Sequence, residues 1–182
     1  MFLDPLGRGP DDGWEPAGRE FDTVVAGTAW HWIDPVAGAA KAARVLRPGG
    51  LLASFWNVVQ LPPDLAEVVA DVAERVVTDL PVNFRAVVSR PAVEAYQTPL
   101  DMAVDGIRAA GSFSEPQQWR HDWEFTYTRD AWLDVMPTQG VFTRLSADGL
   151  AQMLAGVGAA IDARGGSFTM TYATMAVTAQ RR

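Results

Sequence analysis

Two tryptophans flank a histidine directly after the first apolar run of the chain. Trp30, His31 and Trp32 follow the run 21–26, and Trp56 and Asn57 close the next apolar run. An indole face attracts a cation, and an imidazole titrates near neutral pH, where it can take a proton from a reacting group. This grouping predicts a ligand site in which His31 is the candidate catalytic residue.

A structural role is the alternative for each of these side chains. Trp30 and Trp32 can pack the loop under a sheet, and His31 can hold that loop through a hydrogen bond. Trp56 and Asn57 can equally belong to core packing. The residue types alone leave both interpretations open.

Composition excludes several other chemistries. The 182 residues contain no Cys and two His, which removes thiol nucleophiles, disulfides and a multi-His zinc site, so we predict no metal. The net charge of −7 argues against nucleic acid as a partner. We find neither a membrane-spanning run nor a signal peptide, and expect a cytoplasmic location.

The residues around the motif predict a strand, a helix and a second strand, in this order. The run 21–26 is rich in β-branched residues, and Asp34 before Pro35 is typical of a helix N-cap. We expect this helix to end before Pro48, with Gly49 and Gly50 forming a turn into a strand over 51–56. Two strands joined by one helix predict a parallel crossover.

Apolar periodicity and cap residues predict the remaining elements. These are helices over 64–78, 100–110 and 129–136, the last capped by Thr128 or a neighbour, a longer helix that begins after Ser146, and strands over 118–126 and 167–179. The apolar stripe of the first helix is Leu65, Val68, Val69, Val72 and Val76, and the buried face of the longest is Leu150, Met153, Leu154, Val157 and Ile161. Residues 81–99, with prolines at 81, 91 and 99, are predicted to be irregular. Residues 1–20 are rich in Gly and Pro and are predicted to be irregular.

Several segments together resemble class I S-adenosylmethionine-dependent methyltransferases of the small-molecule type. They are Phe21-Asp22, Ala29-Trp30-His31-Trp32, Arg44-Val45-Leu46-Arg47-Pro48-Gly49-Gly50 and Ser54-Phe55-Trp56-Asn57. The resemblance implies an α/β fold, namely the C-terminal portion of a Rossmann-like methyltransferase domain. Its sheet would be mostly parallel, with an antiparallel last strand.

The resemblance also implies roles at the site. The cofactor would be S-adenosylmethionine, bordered by Ala26, Gly27, Thr28, Ala29 and Trp30. A small-molecule acceptor would meet Trp32, Trp56 and Asn57, beside His31. Residues 21–182 would form the methyltransferase part, with 60–112 as a cap-like insertion on the acceptor side.

The family's Gly-rich turn and ribose-binding acid have no counterpart upstream of Phe21. We therefore expect a truncated chain with impaired methyl transfer, and keep an inactive binding or assembly module as the alternative. Without a neighbouring strand, the apolar strand 21–26 would be an open edge. A homodimer or a complementing chain is expected to cover it.

Overall fold

The computed structural model describes residues 16–76, 85, 91–140 and 142–182. Its strands are β1 (Phe21–Gly27), β2 (Leu46–Gln60), β3 (Gln117–Thr128) and β4 (Ser167–Gln180). The helices are α1 (Pro35–Val45), α2 (Pro63–Val76), α3 (Ala92–Ala95), α4 (Gln97–Ala110), α5 (Arg129–Val135) and α6 (Ala147–Asp162), and the 3-10 turns are Trp30–Trp32, Met136–Thr138 and Phe142–Arg144. None of the helices in these ranges is long and apolar enough to cross a membrane.

The four strands form one mixed sheet in the order β1-β2-β4-β3. β1 and β2 are parallel, as the predicted crossover requires. β4 runs antiparallel to β2, because Gly49 near the start of β2 donates its N–H to Arg181 while Asn57 further along contacts Thr174. The predicted antiparallel last strand is therefore present.

The predicted start of β2 is wrong. We expected a turn at Gly49 and Gly50 before the strand, but β2 already begins at Leu46. The glycines form a bulge inside the strand, since Phe21 pairs with Leu46 and Thr23 with Leu51. Gly49 has a φ of +77°, which glycine adopts without steric cost, so the extra residues are absorbed while pairing resumes.

β2 also ends later than predicted. It continues through Gln60, so Trp56 and Asn57 lie within the strand and not at its end. The other predicted helices and strands are present with shifted ends; α4, for example, begins at Gln97 instead of Leu100. The predicted residues 77–78 of α2, residues 81–84 and 86–90 of the predicted irregular stretch 81–99, and residues 1–15 lie outside the described residues. The described part of 81–99 is not irregular throughout, because it contains α3 and the start of α4.

The chain divides into two compact units. The first comprises 1–58, 96–121 and 173–182, and the second comprises 59–95 and 122–172. The predicted insertion 60–112 is thus shared between both units, and its role as a cap over an acceptor stays a prediction.

The core of the first unit lies between the sheet and the helix pair α1–α4. Along β2 the even-numbered Leu52, Ser54, Trp56 and Val58 are buried, as expected for one face of a strand. The helices approach closely at Gly106, where a Cβ would lie 2.5 Å from the Pro35 Cβ. This contact places the start of α1, and with it the loop that precedes the helix.

The second unit is built on α2 and α6. The predicted stripe of α2 faces the predicted buried face of α6 in one cluster that contains Leu65, Val69, Val72, Met153, Val157 and Ile161. Aromatic rings extend this cluster: Trp123 stacks on Tyr172 with ring centroids 4.1 Å apart, and the hydroxyls of Tyr172 and Tyr127 lie 2.7 Å apart. The apolar periodicity of both helices is explained by this packing.

Candidate functional site

The loop after β1 is held against the parallel strand β2. Gly27 pairs with Phe55, and a Cβ at Gly27 would lie 2.8 Å from the Phe55 ring. The next residue, Thr28, donates its N–H to the Phe55 carbonyl at 2.7 Å. Thr28 has a φ of +48°, a left-handed conformation that is costly for a β-branched residue. Such strain persists only where the surroundings hold the backbone in place.

The two tryptophans of the motif have opposite environments. Trp30 is 2% exposed, and its ring lies near Gly38 of α1. Trp32 is 56% exposed and is the indole of this turn that is open to solvent. Packing under the loop therefore accounts for Trp30, whereas Trp32 retains a free aromatic face.

Trp30 has a second property that packing alone does not explain. Its indole N–H is buried and has no hydrogen-bond partner among the described residues. The Ser54 hydroxyl of β2 is in the same state. Buried polar groups are normally paired, so both are notable at this edge of the sheet.

A side-chain hydrogen bond joins the loop to β2. The fully buried Trp56 donates its Nε1–H to Nδ1 of His31 at 3.0 Å. His31 itself is exposed on its other side, and its ring centroid lies 4.7 Å from that of Trp32. Burial of one side lowers the pKa of His31 below its ordinary value of 6.5, since desolvation disfavours the charged imidazolium.

Asn57 is separated from this contact by the pleat of the strand. Neighbouring residues of a strand point to opposite faces, so Asn57 lies on the face opposite Trp56. Asn57 is exposed, and its Oδ1 accepts a hydrogen bond from the Thr174 hydroxyl at 2.8 Å. The structure thus brings His31 and Trp56 together and leaves Asn57 apart from them.

The acidic residue of the loop is already engaged. Asp34 accepts hydrogen bonds from the N–H groups of Val36 and Ala37 at 3.0 and 2.8 Å, and so caps α1 as predicted. Within the described ranges, no group of three or more His, Asp and Glu side chains is placed to hold a metal ion.

Phe55 is a site residue that sequence reasoning missed. Its carbonyl and ring both contact the loop, at Thr28 and Gly27. Knowledge of the register between β1 and β2 would have identified Phe55, because Gly27, the last residue of β1, pairs with it. An apolar strand read alone does not reveal that register.

A second feature was also missed. An open groove of about 370 Å³ lies along α1 and is lined by Ala37, Ala40, Ala43, Arg44, Ser112 and Arg181. The Arg181 guanidinium donates a hydrogen bond to the Leu46 carbonyl. The groove contains none of the predicted site residues.

The segment that carries the motif matches known methyltransferases. Residues 16–54 match the family model described as "Methyltransferase domain", a segment that includes β1, the loop and α1. The resemblance to class I methyltransferases is confirmed. Uncharacterized methyltransferases of Mycobacterium bovis and Mycobacterium tuberculosis are 53% identical over 36 residues, which is 20% of this chain and 15% of theirs.

The fold has a counterpart among solved structures. The protein from Anaeromyxobacter dehalogenans named "Putative Type II Methyltransferase" superposes with a TM-score of 0.55 at 24% identity. The match covers 93% of this chain and 67% of that one. The α/β fold therefore resembles the Rossmann-like fold of methyltransferases. The segment aligned with the curated mycobacterial relatives spans only 15% of their length.

Proposed function

We propose that this chain takes part in methyl transfer from S-adenosylmethionine to a small-molecule acceptor. The observation that carries the proposal is the hydrogen bond between His31 and Trp56. It holds the motif of the methyltransferase segment against the neighbouring parallel strand. In open α/β sheets, ligands bind outside the carboxyl ends of such strands.

The residues at this edge fit part of the cofactor. In the proposal, Ala26, Gly27, Thr28 and Ala29 supply a close backbone wall, and buried Trp30 supports it from below. Gly27 leaves room for the Phe55 ring, which a larger residue would displace. When bound, the cofactor would supply the sulfonium methyl group, and aromatic rings attract such a cation.

Of the three residues predicted to meet the acceptor, Trp32 is the one whose ring is open to a ligand, whereas Trp56 is buried behind His31 and Asn57 is set apart. Trp32 offers the open ring, Trp56 holds His31, and Asn57 lies across the strand on the other face. His31 would contact the bound ligand beside Trp32, which makes it the proposed catalytic residue.

The polar part of the cofactor lacks a partner in this loop. Asp34, the carboxylate between β1 and α1, is occupied as the helix cap. Each hydrogen bond to a charged group contributes about 1.5–3 kcal/mol, so the loss of several removes most of a micromolar affinity. We expect the chain alone to bind S-adenosylhomocysteine with a dissociation constant above about 10 µM.

Titration with S-adenosylhomocysteine tests this proposal. Calorimetry on the full chain gives the affinity, and the indole N–H signals in nitrogen-15 NMR spectra report where the ligand binds. We expect the signals of Trp32 and Trp56 to shift. Trp119 is the matched control, since it is 58% exposed and lies in the same unit on β3.

Two results would count against the proposal. One is a folded chain whose indole signals do not respond to millimolar ligand. The other is a response at Trp119 as large as that at Trp32. Binding tighter than about 10 µM would instead show that the loop recognises the cofactor without the polar contacts we consider missing.

A binding or assembly module is the second candidate function. Its support is the position of β1 at the edge of the four-stranded sheet. An edge strand presents backbone groups that recruit another strand, supplied by a second copy or by a complementing chain. Association without any response to S-adenosylhomocysteine would favour this candidate. Cytoplasmic location stays a prediction.

A further inference from the structure

The Trp56–His31 hydrogen bond determines which imidazole nitrogen carries the proton. An indole N–H can only donate, so the Nδ1 atom that receives it must hold a lone pair. A neutral imidazole has one donor and one acceptor nitrogen. The proton of neutral His31 therefore lies on Nε2.

The burial of Trp56 excludes the alternative position of the imidazole proton. Trp56 is fully buried, and the bond to His31 satisfies its only polar hydrogen. Moving the imidazole proton to Nδ1 would bring two N–H groups face to face and leave the Trp56 donor buried without a partner, which is strongly unfavourable. Double protonation of the imidazole would have the same consequence.

The opposite side of the imidazole is available to a ligand. His31 is exposed, and its Nε2 has no partner among the residues that the structure describes. The Trp32 ring lies beside the imidazole at a tilt of 43°. A ligand that reaches Nε2 meets a hydrogen-bond donor and no free lone pair.

We propose that His31 donates a hydrogen bond from Nε2 to an oxygen atom of the bound ligand and does not act as a general base. The inference rests on the proposed function for the existence of that ligand, and on the Trp56 contact for the role. The oxygen belongs either to the cofactor or to the acceptor. In both cases His31 orients the ligand and keeps its own proton, consistent with a reaction that depends on alignment of the methyl group.

Nitrogen-15 NMR of the imidazole rings tests the proton position without any methyl transfer. The full chain contains two histidines, so His121→Gln assigns the two sets of signals. We expect a single tautomer at His31, with Nε2 protonated and Nδ1 of the lone-pair type. In Trp56→Phe, which keeps an aromatic ring but removes the donor, we expect His31 to show a mixture of tautomers.

Two outcomes would overturn the proposal. A proton on Nδ1 of His31 in the unmodified chain would do so even if Trp56→Phe failed to fold. An unchanged single tautomer in a folded Trp56→Phe variant would do so as well, because Trp56 would then not be its cause. Failure of the proposed function is a separate result, since these spectra require no ligand.

Addition of a ligand in the same experiment tests whether the oxygen that accepts the His31 hydrogen bond belongs to the cofactor. S-adenosylhomocysteine is added until the Trp56 indole signal no longer changes. A shift of the His31 Nε2–H signal, absent in a parallel His31→Ala sample, assigns the oxygen to the cofactor and supports the donor role. Loss of the Nε2 proton upon binding would contradict it, because His31 would then present a lone pair to the ligand.

Discussion

Replacement of Gly106 by alanine should destabilise the first unit and disturb the site. A Cβ at this position would lie 2.5 Å from the Pro35 Cβ, 2.6 Å from its carbonyl carbon and 2.7 Å from its carbonyl oxygen. Two of these atoms are backbone, and Pro35 begins α1 directly after the site loop. A shift of α1 is therefore the way to relieve the clash.

The expected loss is the balance of two opposing effects. Alanine in place of glycine inside a helix contributes about 0.5–1 kcal/mol of stability. Overpacking a rigid contact costs about 1–3 kcal/mol, and contacts with backbone belong at the upper end. The net loss is about 2 kcal/mol, which lowers the melting temperature by about 4–8 °C for a chain of this length.

Thermal unfolding followed by circular dichroism measures this loss. Met102 lies on the same helix, α4, but is exposed, so the difference between Met102→Ala and Met102→Gly gives the helix-propensity effect alone. The imidazole spectrum of His31 should also change in Gly106→Ala, since α1 carries the loop. An equal or higher melting temperature in Gly106→Ala would show that α4 and α1 are not held this closely.

Three further predictions concern other parts of the fold. Asp34→Ala should remove the N-cap of α1 and reduce the free energy of unfolding by about 1 kcal/mol in urea titration, whereas an unchanged value would deny the cap any role. Burial raises the pKa of Tyr172 above its ordinary value of 10.0, so stability should fall as the pH rises above 10, when the unfolded chain loses this proton first. Urea unfolding at pH 8 and pH 11 should show a smaller fall in Tyr172→Phe, and equal falls would refute that assignment. The edge strand β1 should drive association that light scattering detects with increasing concentration and that Val25→Lys reduces; a strict monomer with freely exchanging β1 amides would contradict it.

Sequence signals predicted the individual elements well where their cause is local. The cap residues Asp34, Thr128 and Ser146 each accept a hydrogen bond from a backbone N–H two or three residues later. Such a bond needs no distant partner, so a short stretch of sequence suffices to identify it. The apolar stripes of α2 and α6 were predictable for a similar reason, because helical periodicity marks the buried face before its partner is known.

Interactions between distant segments were not predictable in this way. The bulge at Gly49 and Gly50 exists because Arg181, at the far end of the chain, pairs with both residues. From sequence alone, two glycines after a proline indicate a turn. The grouping of α2 with α6 in one unit likewise depends on packing across about 80 residues of chain.

At the site itself, the sequence determined the location and the residue types. The motif Trp30-His31-Trp32 after an apolar strand predicted the loop and its methyltransferase resemblance. Only the tertiary structure decided which indole is buried and which is open, because that depends on where α1 packs. The tertiary structure also decided the hydrogen bond between His31 and Trp56. These residues are 25 positions apart in the chain, and the parallel register of β1 and β2 brings the Trp56 Nε1 and His31 Nδ1 atoms to a distance of 3.0 Å.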